Sequence, residues 1–154
     1  MEYAIINAPF GQLALIADND FLTEIKFLLE PCPLKKPSSP LLKETEAQLS
    51  AYFFNPLHHF ELPTKLSGTP FQQRVWQAIC QIRPGAPVTY GALAQTLDTA
   101  PRAVGGACGR NPIPIIIPCH RVVSASGLGG FMHTRFLGSL NIKSWLLAHE
   151  EPES

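Results

Sequence analysis

The 154-residue sequence is short of charge: 12 Lys/Arg balance 12 Asp/Glu, and charged residues make up 16% of the chain. With 45% hydrophobic residues, that scarcity excludes an intrinsically disordered protein and predicts a folded one. No apolar run approaches the length of a membrane span. The opening MEYAIINAPFGQL also lacks a basic stretch followed by a long apolar core and a small-residue cleavage site. The expectation is a cytoplasmic protein with no membrane partner. Cysteine is scarce and unpatterned: Cys32, Cys80, Cys108 and Cys119 show neither CxxC spacing nor a regular framework. Neither zinc nor a disulfide scaffold is predicted, and no cofactor is called for.

The zero net charge conceals an asymmetry. Residues 1–65 carry five Lys/Arg against eight Asp/Glu, whereas residues 66–149 carry seven Lys/Arg against Asp98 alone. A basic C-terminal part is compatible with a polyanionic partner, a weak signal taken alone. Length and texture predict an α+β chain in two parts, a small antiparallel β-rich N-terminal domain (1–66) and a mostly helical C-terminal domain (67–154).

In the first part, YAIINAPFGQLALIADNDFLTEIKFL reads as short strands separated by Pro-Phe-Gly and Asp-Asn-Asp turns. EPCPLKKPSSP is a connector, LLKETEAQLSAYFF has helical spacing, and HHFELP is predicted to return as a strand. From Thr69 the texture changes. TPFQQRVWQAICQI places a Thr cap before Pro at the first helical position, with Phe71, Val75, Trp76 and Ile79 on one face and Cys80 among the apolar positions. Thr89 is a candidate cap for a helix from Tyr90 to Leu97, and a second short helix starts near Pro101 and ends at Asn111-Pro112. Two short helices joined by a tight turn predict a helix–turn–helix.

The second of these helices is nearly bare. Ala103, Gly105, Gly106, Ala107 and Gly109 project little, and each helix-interior glycine costs roughly 1 kcal/mol. Something must approach that backbone closely, either another element of the chain or a nucleic-acid backbone; Arg102 at its head favours the latter. The closing SLNIKSWLLAHE reads as an amphipathic helix with Leu140, Trp145, Leu146 and Leu147 as core contacts.

NPIPIIIPCHRVV drives a stiff, apolar, extended approach into Cys119, because each proline fixes its own φ and restricts the residue before it. A free thiol with a pKa near 8.5 needs a base or a positive field to become a nucleophile, and His120 is the candidate base. In an extended segment adjacent side chains diverge, so a bridging water is the expected link. Glu150 and His149 are candidates to orient the imidazole, and the carboxylate suits that role better. The competing reading of Cys119 is an inert buried thiol; Pro118, His120 and Arg121 around it argue against that.

IPCHRVV, VTYGALA, RAVGGACGRNPIP and WLLAHE, in this order, resemble the O6-alkylguanine-DNA alkyltransferase family, also called methylated-DNA-protein-cysteine methyltransferases. The resemblance is dense from about Thr69 to Glu150. It implies an RNase H-like N-terminal lobe, a winged-helix-like C-terminal lobe, and a self-inactivating transfer of an alkyl group from O6-alkylguanine, with O4-alkylthymine left open, to Cys119. It further implies His120 as water-linked base, Glu150 as its orienting carboxylate, Asn111 as a brace for the turn and Tyr90 as hydrogen-bond donor to the departing guanine. Arg102 would fill the gap left by the flipped base. Thr89, Tyr90, Ala103, Gly105 and Ala107 would lie along the minor groove, and Pro114, Val122, Phe131 and Cys108 would line the alkyl and base pocket. The implied partner is alkylated double-stranded DNA bound by a monomer, with clustering on DNA left open.

Phe131 stands where many members carry tyrosine, and MHTRFLGSLNI is longer than the usual linker, which bears on the pocket rim. Three rivals remain: a damage binder without transfer, a thiol hydrolase lacking any visible oxyanion hole, and a plain helix–turn–helix regulator. The last is disfavoured because its reading helix needs side chains that contact bases.

Overall fold

The computed structural model describes residues 1–127, 129 and 137–152, and the side chains of 137–140 are outside that description. Two compact units divide the chain, Met1–Ser67 and Gly68–Ser154.

The first unit is an antiparallel meander of β1 (Glu2–Ala8), β2 (Gly11–Asp18) and β3 (Phe21–Leu28), followed by helix α1 (Pro40–Phe54). Alternation buries Ala4 and Ile6 of β1 and Leu13 and Leu15 of β2, a register shift at Ile16/Ala17 brings Leu22 and Ile25 of β3 to the buried side, and α1 buries Leu42, Leu49 and Tyr52. Ser39 starts α1 by accepting the Leu42 N–H through its hydroxyl, with Pro40 in the first turn. The expected strand at HHFELP does not form. Gln48 of α1 takes both backbone groups of Glu61, donating to its carbonyl and accepting its N–H at 2.9 Å each, so this backbone is not free to join a ladder. Pairing is limited to a single parallel bridge between Leu22 and Thr64.

The second unit opens with α2 (Pro70–Ile79), whose Thr69 and Gln72 form a complete capping box. Val75, Trp76 and Ile79 are buried, whereas Cys80 is exposed at the helix end and does not belong to the apolar face. The two-residue strand β4 (Val88–Thr89) leads into α3 (Tyr90–Thr96), and α4 (Pro101–Gly109) follows. Thr89 caps α3 by accepting the Ala92 N–H at 3.0 Å. Asp98, with φ 55°, makes the turn between the helices, while Arg74 of α2 donates to the Leu97 carbonyl at 2.9 Å. Trp76 donates its indole N–H to the Ala107 carbonyl at 2.9 Å, tying α4 to α2.

The approach to Cys119 is not extended. Residues 113–117 fold back on themselves through a Pro114–Ile117 bridge, and Ile115 has φ 74°. A positive φ is a genuine outlier for a β-branched residue and persists only where its surroundings impose it. Cys119–Arg121 is a 3₁₀ turn, after which β5 (Val122–Val123) pairs in parallel with β4. Helix α5 (Leu137–Glu150) closes the unit. Its buried stripe is Ile142, Lys143, Leu146 and Glu150; Trp145 and Leu147 are only half-buried, and the Leu140 side chain lies outside the described residues.

Candidate active site

Cys119 is 2% exposed at the start of its 3₁₀ turn, and the residues around it are held by side chain to backbone bonds. Buried Asn111 donates to the Ile117 carbonyl at 2.8 Å and accepts the Ile113 N–H at 3.0 Å, closing the turn that contains Ile115. One amide therefore sets the shape of the approach to Cys119.

Behind the cysteine, His120 Nε2 lies 2.8 Å from Glu150 Oε2, both residues being buried. Arg121 holds the same carboxylate in a two-pronged grip, Nε to Oε1 at 2.8 Å and Nη2 to Oε2 at 2.9 Å. Its third nitrogen donates to the Ile82 carbonyl at 2.6 Å. Arg121 thus serves an internal acid. His120 Nδ1 is buried and has no hydrogen-bond partner among the described residues. Glu150 takes the position beside His120, while His149 stacks on Trp145 with ring centroids 4.7 Å apart.

Lys143 completes the constellation. It is fully buried, donates to the Val122 carbonyl at 2.8 Å, and sits 5.7 Å from the centre of the Tyr90 ring. The tyrosine is half-buried, flanked by α4 and by the backbone at Gly129, where a Cβ would meet its ring at 2.9 Å. Lys143 was not among the residues singled out from sequence. Its signal was the i, i+3, i+7 register with Leu146 and Glu150, overridden by the ordinary expectation that lysine is solvated.

Burial pushes the Cys119 thiol up to about 11, while the Asn111 hydrogen bond and the Lys143 charge pull it down. Burial likewise holds His120 below its ordinary 6.5; the hydrogen bond and charge of Glu150 oppose this, and the Arg121 and Lys143 charges reinforce it. The imidazole is therefore neutral near pH 7 and able to accept a proton. Burial drives Cys108 up further, to about 12, with a contribution from Cys119, so it is the less reactive of the two thiols.

On α4, Arg102 and Gly106 are exposed and Ala103 and Gly105 half-exposed. Ala107 is 3% exposed, packed inward with Val104 and Cys108, and is withdrawn from the outward face. Residues 102, 106 and 110 share the exposed face, whereas Ala107 falls with Val104 and Cys108 on the buried side. Thr89 is spent on capping α3. Pro114, Val122 and Cys108 are buried in this unit, and Phe131 lies outside the described residues, as do residues 132–136 of the longer segment before Lys143.

Fold and site together define a helix–turn–helix unit with a buried cysteine backed by a histidine, a carboxylate and a guanidinium. Residues 70–152 match the model of the 6-O-methylguanine DNA methyltransferase DNA-binding domain, and residues 1–66 match that of the ribonuclease-like domain of the same enzymes. A methylated-DNA–protein-cysteine methyltransferase of Methanosarcina mazei is 39% identical over 158 aligned positions, covering 98% of each chain. One from Mycobacterium tuberculosis is 38% identical over 98% of this chain and 93% of its own. Among solved structures, M. tuberculosis OGT in complex with DNA superimposes with a TM-score of 0.82 at 39% identity, covering 97% of this chain and 92% of that one. The chain belongs to the 6-O-methylguanine DNA methyltransferase family.

Proposed function

We propose that the protein repairs alkylated DNA directly, moving the alkyl group of O6-alkylguanine onto Cys119 in a single, self-inactivating turnover. The family and its DNA-bound relative support this reaction. The observation that carries the assignment to Cys119 is its place in a buried Cys119–His120–Glu150 series whose last contact is 2.8 Å long.

The chemistry follows from the groups present. A water between the Cys119 thiol and His120 Nδ1 passes the thiol proton to the neutral imidazole, and Glu150, clamped by Arg121, stabilises the resulting positive charge. The unpartnered Nδ1 supports that water link. The thiolate attacks the alkyl carbon; the carbon–sulfur bond forms as the bond to O6 breaks, and the electron pair returns to guanine. Tyr90 donates a hydrogen bond to the departing base, and Lys143 beside it adds positive field.

A buried thiol requires the base to leave the stack. Arg102, exposed at the start of α4, fills the gap, and the smooth face of Ala103, Gly105 and Gly106 follows the minor groove. On this reading residues 67–154 bind DNA and carry out transfer, residues 1–66 form a separate β-rich domain, and the protein is a cytoplasmic monomer. Four unbonded cysteines fit a reducing compartment, and among the described residues no helix is long and apolar enough to cross a membrane.

Intact-protein mass after mixing with duplex DNA containing one O6-methylguanine, followed by peptide mapping, tests the reading. One added methyl per protein on Cys119 is expected. An unchanged mass with retained binding would instead indicate a lesion binder, and methylation of Cys108 would move the acceptor.

A further inference from the structure

We propose that the turn at residues 83–86, through Gly85, is a positioning element for the Glu150 carboxylate. The inference rests on the relay reading of Glu150 and His120 given above.

The Ala86 N–H donates to the Arg83 carbonyl at 3.2 Å, closing a four-residue turn. Pro84 occupies its second position and Gly85, with φ +79°, its third, as a type II turn requires. A Cβ at residue 85 would lie 2.8 Å from the Glu150 carbonyl oxygen and 3.0 Å from Cδ of Pro152. Neither atom belongs to a flexible side-chain end that can swing aside, so the turn and the last turn of α5 meet backbone to backbone. Three residues earlier, the Ile82 carbonyl accepts from Arg121, whose other nitrogens hold both Glu150 oxygens. The same loop therefore meets Glu150 twice, directly at its backbone and through Arg121 at its carboxylate.

This matters because Glu150 is the final residue of α5, with no further helical turn behind it to fix its position. A shift of several tenths of an ångström at its backbone is enough to spoil a 2.8 Å contact with His120. Gly85 is thus constrained twice, by its positive φ and by the room it leaves for Glu150.

Gly85→Asn and Gly85→Ala separate these two constraints, since asparagine tolerates positive φ while adding the same Cβ. Single-turnover methyl transfer, thermal midpoint and the NMR signal of the His120 Nε2 proton are measured, with Glu150→Gln as comparator. Both variants are expected to transfer about tenfold more slowly or worse, and to displace the His120 signal. Wild-type transfer and an unmoved signal in Gly85→Asn, with Glu150→Gln impaired, overturn the inference and leave the relay intact. If Glu150→Gln transfers normally, the relay reading fails, and the His120 signal in Gly85→Asn alone decides whether the turn positions Glu150. If neither Gly85 variant folds, Pro152→Gly loosens the same contact without a clash and is expected to move the same signal; an unmoved signal there refutes the proposal.

Discussion

Replacing Arg121 with methionine removes the guanidinium and keeps most of the side-chain bulk. Glu150, whose side chain is 1% exposed, then loses both charge-assisted hydrogen bonds from Arg121, and the Ile82 carbonyl loses its donor. Breaking a buried ion pair from one side typically costs about 3–5 kcal/mol, a large share of a small domain's stability. The kinetic effect has a definite sign. The Arg121 charge is one of the influences that hold His120 low, so its removal lets the imidazole pKa rise and favours the imidazolium paired with Glu150. A base must be neutral to accept a proton, so the acid limb of the rate profile moves to higher pH. Below the new limb, each unit of displacement costs about tenfold in rate. Single-turnover transfer from pH 5.5 to pH 9.5, with urea denaturation alongside, tests both effects. Arg121→Met is expected to lose rate on the acid side at a higher pH than the unaltered protein and to approach its rate at alkaline pH, and the double variant Arg121→Met/Glu150→Gln to regain stability over the single one. An unmoved acid limb together with a loss below about 0.5 kcal/mol, the level of an ordinary surface substitution, would refute the reasoning.

Arg102→Ala should weaken repair of duplex DNA more than reaction with the free alkylated base, and equal losses on the two substrates would remove the gap-filling role. Lys143→Met should push the Cys119 thiol up further and slow transfer at pH 7, with partial recovery at higher pH; an unchanged profile would mean the buried charge does not reach the sulfur. The Cys119 thiol, raised from 9.0 to about 11, contributes stability that is fully present below pH 9 and lost as pH rises through 11. Two units correspond to about 3 kcal/mol, so Cys119→Ala and the S-methylated protein should lose less stability than the unmodified protein between pH 8 and pH 11, as denaturation at both pH values would show.

Local signals carried the parts of the fold whose physics is local. The Thr69-Pro70 start, the Thr89 cap and the two short helices are written in residues that act within four positions of themselves, and they were legible. HHFELP failed as a strand because a distant side chain, Gln48, took the Glu61 backbone, and no periodicity announces that. Residues 113–117 failed as an extended run for a similar reason. Prolines alone favour extension, and the Asn111 amide overrides them by bonding both ends of a turn that places Ile115 at positive φ. The family resemblance places Ala107 along the minor groove, yet its side chain is 3% exposed beside Val104 and Cys108, and smallness alone does not tell inward from outward positions.

The closing helix failed differently, and the failure is informative. Reading α5 as amphipathic assigns its core to Leu140, Trp145, Leu146 and Leu147; Leu146 is buried, but Trp145 and Leu147 are half-buried and the buried stripe includes Lys143 and Glu150, seven residues and two turns apart on one face. Burying an ion costs several kcal/mol unless it is well paired, and an apolar side chain in the same place is often as stable or more so. A helix that served only to close the core would carry leucine at both positions. Here each charge meets a specific group instead: Lys143 meets the Val122 carbonyl and lies near Tyr90, and Glu150 meets His120 and Arg121. The face of α5 that violates its own hydrophobic pattern is the face turned toward Cys119. Departures from the folding rule concentrate where a stability cost is traded for chemistry, so Lys143, missed on pattern alone, and Glu150, chosen for its carboxylate, are the positions at which the energetics of burial point to the site.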